Sequence, residues 1–290
     1  MVWSLTVGSR RIEFGAALTG LGLVSTPVVK PVIEVDSYVN PRGDGRRFGR
    51  MWRRGQVVSL AVEARPDGRP IEDVWRDLLS VWRADNIRGT SGRLARLTAD
   101  SGLSAYGLPV DVDPNQEHRL FNIDRVVLGF EAVDDLWYGP VQETVVGFAP
   151  PVGGGLRFPA RAPFRFGGQP TVRNSSVVVD GSQSAWPVFE VVGPIANPVI
   201  EVEGLGRLVI SASLAYDERV VLDTRPWART VMRGKVGGAL SAFPAALSPS
   251  GLRLSDMALS PGAHSINLRG SDPSGVALVR VRVEPAFTSF

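Results

Sequence analysis

The sequence predicts a mainly β protein of two modules, with one α-helix in the first and an antiparallel β-sandwich as the second. Three observations carry this. From Leu208 to Tyr216 the apolar residues alternate: Leu208, Ile210, Ala212, Leu214 and Tyr216 fall on one face, and Val209, Ser211, Ser213 and Ala215 on the other. That is the period of a strand with one buried face. Gly (32) and Pro (22) punctuate many short apolar runs, as expected of strands joined by turns. One segment departs from this: Ile71, Val74, Trp75, Leu78 and Trp82 follow the spacing of a single apolar helical stripe.

In the first module, Trp3, Leu5 and Val7 alternate as a strand, and Val29–Val35 and Gln56–Glu63 read as two more. Between the latter two, Pro41 to Arg50 is rich in Gly, Asp and Arg, which marks a turn or a mobile tip. The helix is expected over about 70–85. Pro70 suits its first position, Glu72 and Asp73 place negative charge in its first turn, and Gly89 lies beyond its end. Strands resume over 93–148. The best is Phe121–Phe130, and another, Val133–Tyr138, ends in the aromatic stop Trp137-Tyr138 before Gly139-Pro140.

Pro150 to Gly155 has linker composition. The expected division is therefore 1–149, a linker at 150–158, and 159–290. The second module is organised around Trp186–Trp227, where Gly193-Pro194, Asn197-Pro198, Gly204-Leu205-Gly206 and Asp217-Glu218 separate four apolar runs. Val220–Asp223 follows Tyr216 after a turn too short for a crossover, so the two runs are expected to form a β-hairpin. Such a segment cannot bury its own faces and needs a second sheet. Ser265–Arg269 and Val276–Val283 are further strands; in the latter Ala277, Val279, Val281 and Val283 share one face.

Composition narrows the function. An apolar content of 44% and a charged content of 21% are those of a globular chain. There is no cysteine, so disulfides, thiolate metal sites and a Cys nucleophile are excluded. The formal charge of +3 is small for 290 residues and is not the footprint of a dedicated nucleic-acid binder. Ser9-Arg10-Arg11 before Phe14 superficially resembles a twin-arginine signal, but Glu13, Gly20, Gly22 and Pro27 interrupt the apolar run. No run approaches a membrane span, so a soluble, non-exported protein is expected.

No catalytic constellation emerges. His118 and His264 are the only histidines, sit in no motif, and are expected in loops or at the surface. Asp111, Asp113 and Asn115 resemble the opening of a calcium loop, but Gln116 and Asn122 stand where its glycine and bidentate glutamate belong. An acidic turn before the Phe121 strand is expected instead. Asp134 and Asp135 are adjacent and cannot flank one bond if they lie on a strand. Glu190, Glu201, Glu203 and Asp223 are scattered along strands. Gly43 to Gly49 lacks the spacing of a phosphate loop. Arg42-Gly43-Asp44 is too short to carry weight, and the formal glycosylation site Asn174-Ser175-Ser176 has no meaning without a secretory route. Neither a metal nor a cofactor is expected. The densest basic patch is Arg42, Arg46, Arg47, Arg50, Arg53 and Arg54 around Trp52, a candidate partner contact through carboxylates or phosphates. Under an alternative glycan-binding reading, Trp186 and Trp227 are the candidate contacts.

The second module resembles the C-terminal domain of siphophage distal tail proteins and their minor-tail relatives. The resemblance is carried by Asn174 to Gly181, Trp186 to Gly193, Asn197 to Ile200, Leu208 to Ile210, Val220 to Thr224 and Leu259 to Ile266. Ser176 and His264 depart from it, standing where many members have Gly and Asn. In the first module the basic Asp44-Gly45 loop, the Val57–Val62 strand, the helix and the strand before Trp137 come in the family's order. The resemblance implies an N-terminal β-barrel-like domain that closes a homo-hexameric ring and a C-terminal galectin-like sandwich that projects outward. It also implies a non-enzymatic virion protein of the tail tip, assembled in the host cytoplasm. Its partners would be itself, the tail tube protein and other tail-tip proteins. DNA would pass through the channel without sequence-specific reading, and no membrane insertion is implied. The rival is a carbohydrate-binding module of a host-recognition fibre.

Overall fold

The computed structural model describes residues 1–15, 20–65, 68–90, 92–115, 125–148 and 175–290. The linker expected at 150–158, His118, Gln116, Asn122 and Asn174 lie outside them. The chain divides into two units, Met1–Pro140 with Phe287–Phe290, and Val141–Ala286. The mainly β expectation holds: sheets dominate both units, with one helix of three turns in the first.

The first unit is a strongly curved antiparallel sheet. Its strands are β1 (Val2–Val7), β2 (Arg10–Gly15), β3 (Gly20–Leu23), β4 (Val28–Val39), β5 (Arg46–Arg65), β6 (Ala95–Thr98), β7 (Ser104–Asn115), β8 (Arg125–Ala132) and β9 (Trp137–Tyr138). The order β2-β1-β6-β7-β8-β5-β3 nearly closes into a barrel, with β4 added on β5 and β9 on β7. Alternation explains the core. Trp3, Leu5 and Val7 of β1, Val58, Leu60 and Val62 of β5, and Leu128 and Phe130 of β8 are all buried.

Helix α1 (Ile71–Trp82) lays Val74, Leu78, Val81 and Trp82 on this core. Burial of each such side chain contributes roughly 1.5–3 kcal/mol. The Trp82 indole N–H donates to the Asp111 carbonyl at 3.2 Å, so the widest residue of the stripe is also satisfied. Pro70 caps the helix rather than opening it, and Ala84, at φ 51°, separates α1 from the short α2 (Asp85–Arg88). Two expectations are corrected here. Asp111 and Asp113 lie within β7 opposite Gly129 and Val127, not in an acidic turn. Val133–Asp135 form a bend, so only Trp137–Tyr138 of the expected strand is extended.

The second unit is a sandwich of two antiparallel sheets. One takes β10 (Gln142–Gly147), β12 (Val188–Val192), β16 (Glu218–Asp223), β17 (Thr230–Lys235), β18 (Leu240–Ala242) and β20 (Leu278–Val283), in the order β10-β20-β12-β16-β17-β18. The other takes β11 (Ser175–Val179), β13 (Ile195–Val202), β14 (Gly206–Val209), β15 (Ser213–Leu214) and β19 (Gly262–Ser271), in the order β11-β19-β13-β14 with β15 on β13. Phe189, Val220, Leu222, Val279 and Val281 of the first sheet share a core with Val177, Ile200, Leu208, Ile266 and Leu268 of the second.

The hairpin expected between Leu208–Tyr216 and Val220–Asp223 does not form. Leu208, Ile210 and Leu214 do face the core, as the alternation requires. The run breaks at Ser211-Ala212, however, and its last part pairs with β13 while β16 joins the opposite sheet. The short turn at Ala215–Asp217 therefore carries the chain across the sandwich, and Tyr216 is left exposed. A tight turn and two apolar runs specify a reversal of direction, but not whether the second run stays in the same sheet.

Candidate functional site

The most exposed apolar surface of the first unit lies on a ribbon formed by β4 and the N-terminal half of β5. Of β5, only Gln56–Glu63 pairs with β8 and only Val62–Arg65 with β3 among the described residues. From Arg46 to Gly55 the sole partner of β5 among the described residues is β4. A two-stranded arm results, Val32–Val39 against Arg46–Gly55, joined by the turn at Asn40–Gly45, where the Asn40 N–H donates to the Gly45 carbonyl at 3.1 Å. The arm leaves the barrel at Gly55. Its φ of 121° suits glycine, and a Cβ there would stand 2.3 Å from the Ala132 carbonyl oxygen.

Register assigns the faces, because directly paired residues of an antiparallel pair project to the same side. Val39 opposes Arg46, Ser37 opposes Phe48, Val35 opposes Met51 and Ile33 opposes Arg53. One face thus carries Val39, Phe48, Val35, Met51 and Ile33 between Arg46 and Arg53. These five are 65%, 72%, 40%, 61% and 48% exposed. The other face carries Tyr38 with Arg47, and Glu34 with Trp52, while Asp36 opposes a bulge at Gly49–Arg50. A two-stranded ribbon is at best marginally stable in water, and a contiguous apolar stripe on it is characteristic of an interaction surface.

The basic patch read from the sequence sits on this arm but is not one cluster. Arg42 lies in the turn, and Arg46, Arg47 and Arg50 lie on β5, exposed and without an ion pair among the described residues. Arg53 pairs with Asp135. Arg54 pairs with Glu34 at 2.6 Å and stands 5.9 Å above the Trp52 ring. The expectation of a turn or mobile tip across Pro41–Arg50 is corrected: only its first half is a turn, and Arg46–Arg50 is strand. What the sequence reading missed is the apolar row threaded between the arginines. Its signal was the alternation of Ile33, Val35 and Val39 opposite Phe48 and Met51.

Several of the remaining candidates have structural partners. Asp134 accepts from the Tyr138 hydroxyl at 2.6 Å and from the Leu136 N–H at 3.1 Å, and burial pushes its carboxyl above the ordinary value. His264, expected in a loop or at the surface, lies half-buried on β19 opposite Val177, with its Nε2 2.7 Å from the Ser260 carbonyl. Trp186 and Trp227 are half-buried. The Thr224 hydroxyl ties their two segments together by donating to the Pro187 carbonyl at 2.6 Å. Arg225, held on Asp223 at 2.6 Å, stands 5.7 Å above the Trp227 ring. That face of Trp227 is therefore already occupied.

Glu190, which nothing in the sequence paired, is 2% exposed and is reached by three arginines: Arg219 at 3.0 Å, Arg282 at 2.8 Å and Arg280 at 3.4 Å. All four project from the outward positions of β12, β16 and β20. Among the described residues no group of acidic or histidine side chains could hold a metal ion, and no helix is long and apolar enough to cross a membrane.

No family model matches the chain, and no curated protein matches it. Its fold, however, is found in solved structures of phage tail proteins. The Dit protein of phage SPP1, described as a paradigm of the hub adsorption apparatus in phages infecting Gram-positive hosts, aligns at a TM-score of 0.55 and 12% identity. That alignment covers 97% of this chain and 98% of the other. A chain of the phage P2 baseplate in its calcium-activated conformation aligns at 0.57 and 11% identity, over 98% and 97%. A chain of the strontium form aligns at 0.52 and 12% identity, over the same shares. The likeness spans both units and stands as one of fold.

Proposed function

We propose that this chain is a structural, non-enzymatic protein of a long-tailed phage virion. It forms a homo-hexameric ring that joins the tail tube to the tail tip and anchors host-recognition components. DNA passes through the ring without being read.

The observation that carries this reading is the arm. Five apolar side chains on one face of a two-stranded ribbon are stable only when covered, and a second copy of the chain supplies a cover of fixed geometry. Among the described residues no further strand pairs with the arm's edges, which suits strand addition. The shared fold with an adsorption-hub protein and a baseplate chain supports a place at the tail tip. The small net charge is consistent with a channel that DNA traverses rather than binds. Negative-stain images of the purified full chain test the proposal. Rings with six-fold symmetry are expected, and uniformly monomeric particles at concentrations well above micromolar contradict it.

A further inference from the structure

We infer that the outward face of the second unit's five-stranded sheet binds a neutral saccharide. This inference does not depend on ring formation.

The site is built by register. Glu201 on β13 is flanked by Arg207 on β14 and by Asn267 on β19. The alternate residues Ile200, Val202, Leu208, Ile266 and Leu268 are all in the core, so this row points outward. With strands about 4.8 Å apart, the row spans about 10 Å. Next to it, the Glu203 N–H donates to the Ser265 carbonyl at 3.0 Å, which places these two side by side at the end of the sheet. Together with Arg269 these residues line a concavity of about 630 Å³, a volume within the usual range for small-ligand sites.

Three features point to a polyhydroxyl ligand. First, the groups are largely unspent. Glu201 accepts from Arg269 at 2.6 Å, but Glu203, Arg207 and Asn267 make no side-chain hydrogen bond or ion pair among the described residues. The Ser265 hydroxyl oxygen is buried without a hydrogen-bond partner among the described residues. Second, donors and acceptors are interleaved: carboxylates accept, guanidinium groups donate, and the Asn267 amide does both. A sugar hydroxyl also does both, so each hydroxyl can find complementary neighbours. Third, the lining holds two carboxylates and two guanidinium groups, which cancel. A phosphate or uronate would meet Glu201 and Glu203 along with the arginines, whereas a neutral ring meets no net repulsion.

The test is a printed array of neutral, uronate-bearing and phosphate-bearing oligosaccharides probed with the full chain. Calorimetric titration of the best neutral ligand follows, against Arg207→Ala, Asn267→Ala and Trp227→Ala. Arg207 is exposed and Asn267 half-buried on an outer face, so folding should survive, and melting curves verify this. Glu203→Gln, also exposed, replaces either variant that melts early. Retention of neutral saccharides is expected, with affinity falling about tenfold for each of the two sheet variants and unchanged for Trp227→Ala. Absence of neutral binders, retention of anionic saccharides alone, or undiminished binding in the sheet variants overturns the inference.

Discussion

Val35 on β4 stands directly opposite Met51 on β5, and both side chains face water. Such a cross-strand pair contributes roughly 0.2–1 kcal/mol to a ribbon. That is too little to hold an arm that, among the described residues, pairs with no other strand beyond Gly55. The pair and its neighbours Ile33, Val39 and Phe48 make sense as one half of an interface, and the proposed assembly supplies the other half.

Gly55 sets where the arm leaves the barrel. In Gly55→Ala the new methyl group meets the Ala132 carbonyl in a backbone region that suits glycine. A loss of stability of about 1–3 kcal/mol is expected, together with impaired assembly as the arm is re-aimed. Urea unfolding and light scattering measure the two effects separately.

Glu190, nearly fully buried, is the shared acidic partner of Arg219, Arg280 and Arg282. Removing it in Glu190→Ala leaves Arg219 and Arg280 without an acidic partner among the described residues, while Arg282 keeps Glu143 at 2.8 Å; destabilisation of about 3 kcal/mol is expected. A control such as Glu203→Ala, on an exposed unpaired carboxylate, should change stability by less than about 0.5 kcal/mol. Urea midpoints for the two variants decide this.

Asp134 has its carboxyl pushed upward, first by burial and then by the Asp135 charge, against the hydrogen bonds from Tyr138 and Leu136. A folded-state value above the unfolded one means that the folded state disfavours the ionised form. The penalty is full above the folded value, shrinks as pH falls through it, and is gone below the ordinary value of 3.8. Asp134→Asn keeps an acceptor in place and should therefore match or exceed the wild type in stability at pH 7. Its advantage should fade as pH falls through the raised value and be gone below 3.8. Unfolding curves at the two pH values check the sign.

Local periodicity was legible where one face of an element is buried. Leu78 and Trp82 announced α1, and Val279, Val281 and Val283 announced β20, because burial leaves an imprint of period 3.6 or 2. Pairing was not legible. Tyr216 and Val220 are separated by a short turn, yet the strands on either side enter opposite sheets, a choice made by contacts distant in sequence. The arm was missed for the reverse reason. Arg46 to Arg54 is extended with both faces in water, so charge alternates with apolar residues and imitates a loop. Arg53 and Arg54 are occupied by Asp135 and Glu34, which lie far from them in sequence. Glu190 and its three arginines show the same limit, since the cluster draws on three strands.

The most direct measurement is native mass spectrometry of the full chain beside Phe48→Asp/Met51→Asp. Both positions are exposed in the single chain, so the variant should remain folded, which its circular dichroism verifies, while melting below an assembled wild type. The expected result is a hexamer for the wild type and a folded monomer for the variant. A wild type that stays monomeric, or a variant that assembles as well as the wild type, would contradict the arm's role in holding neighbouring copies together.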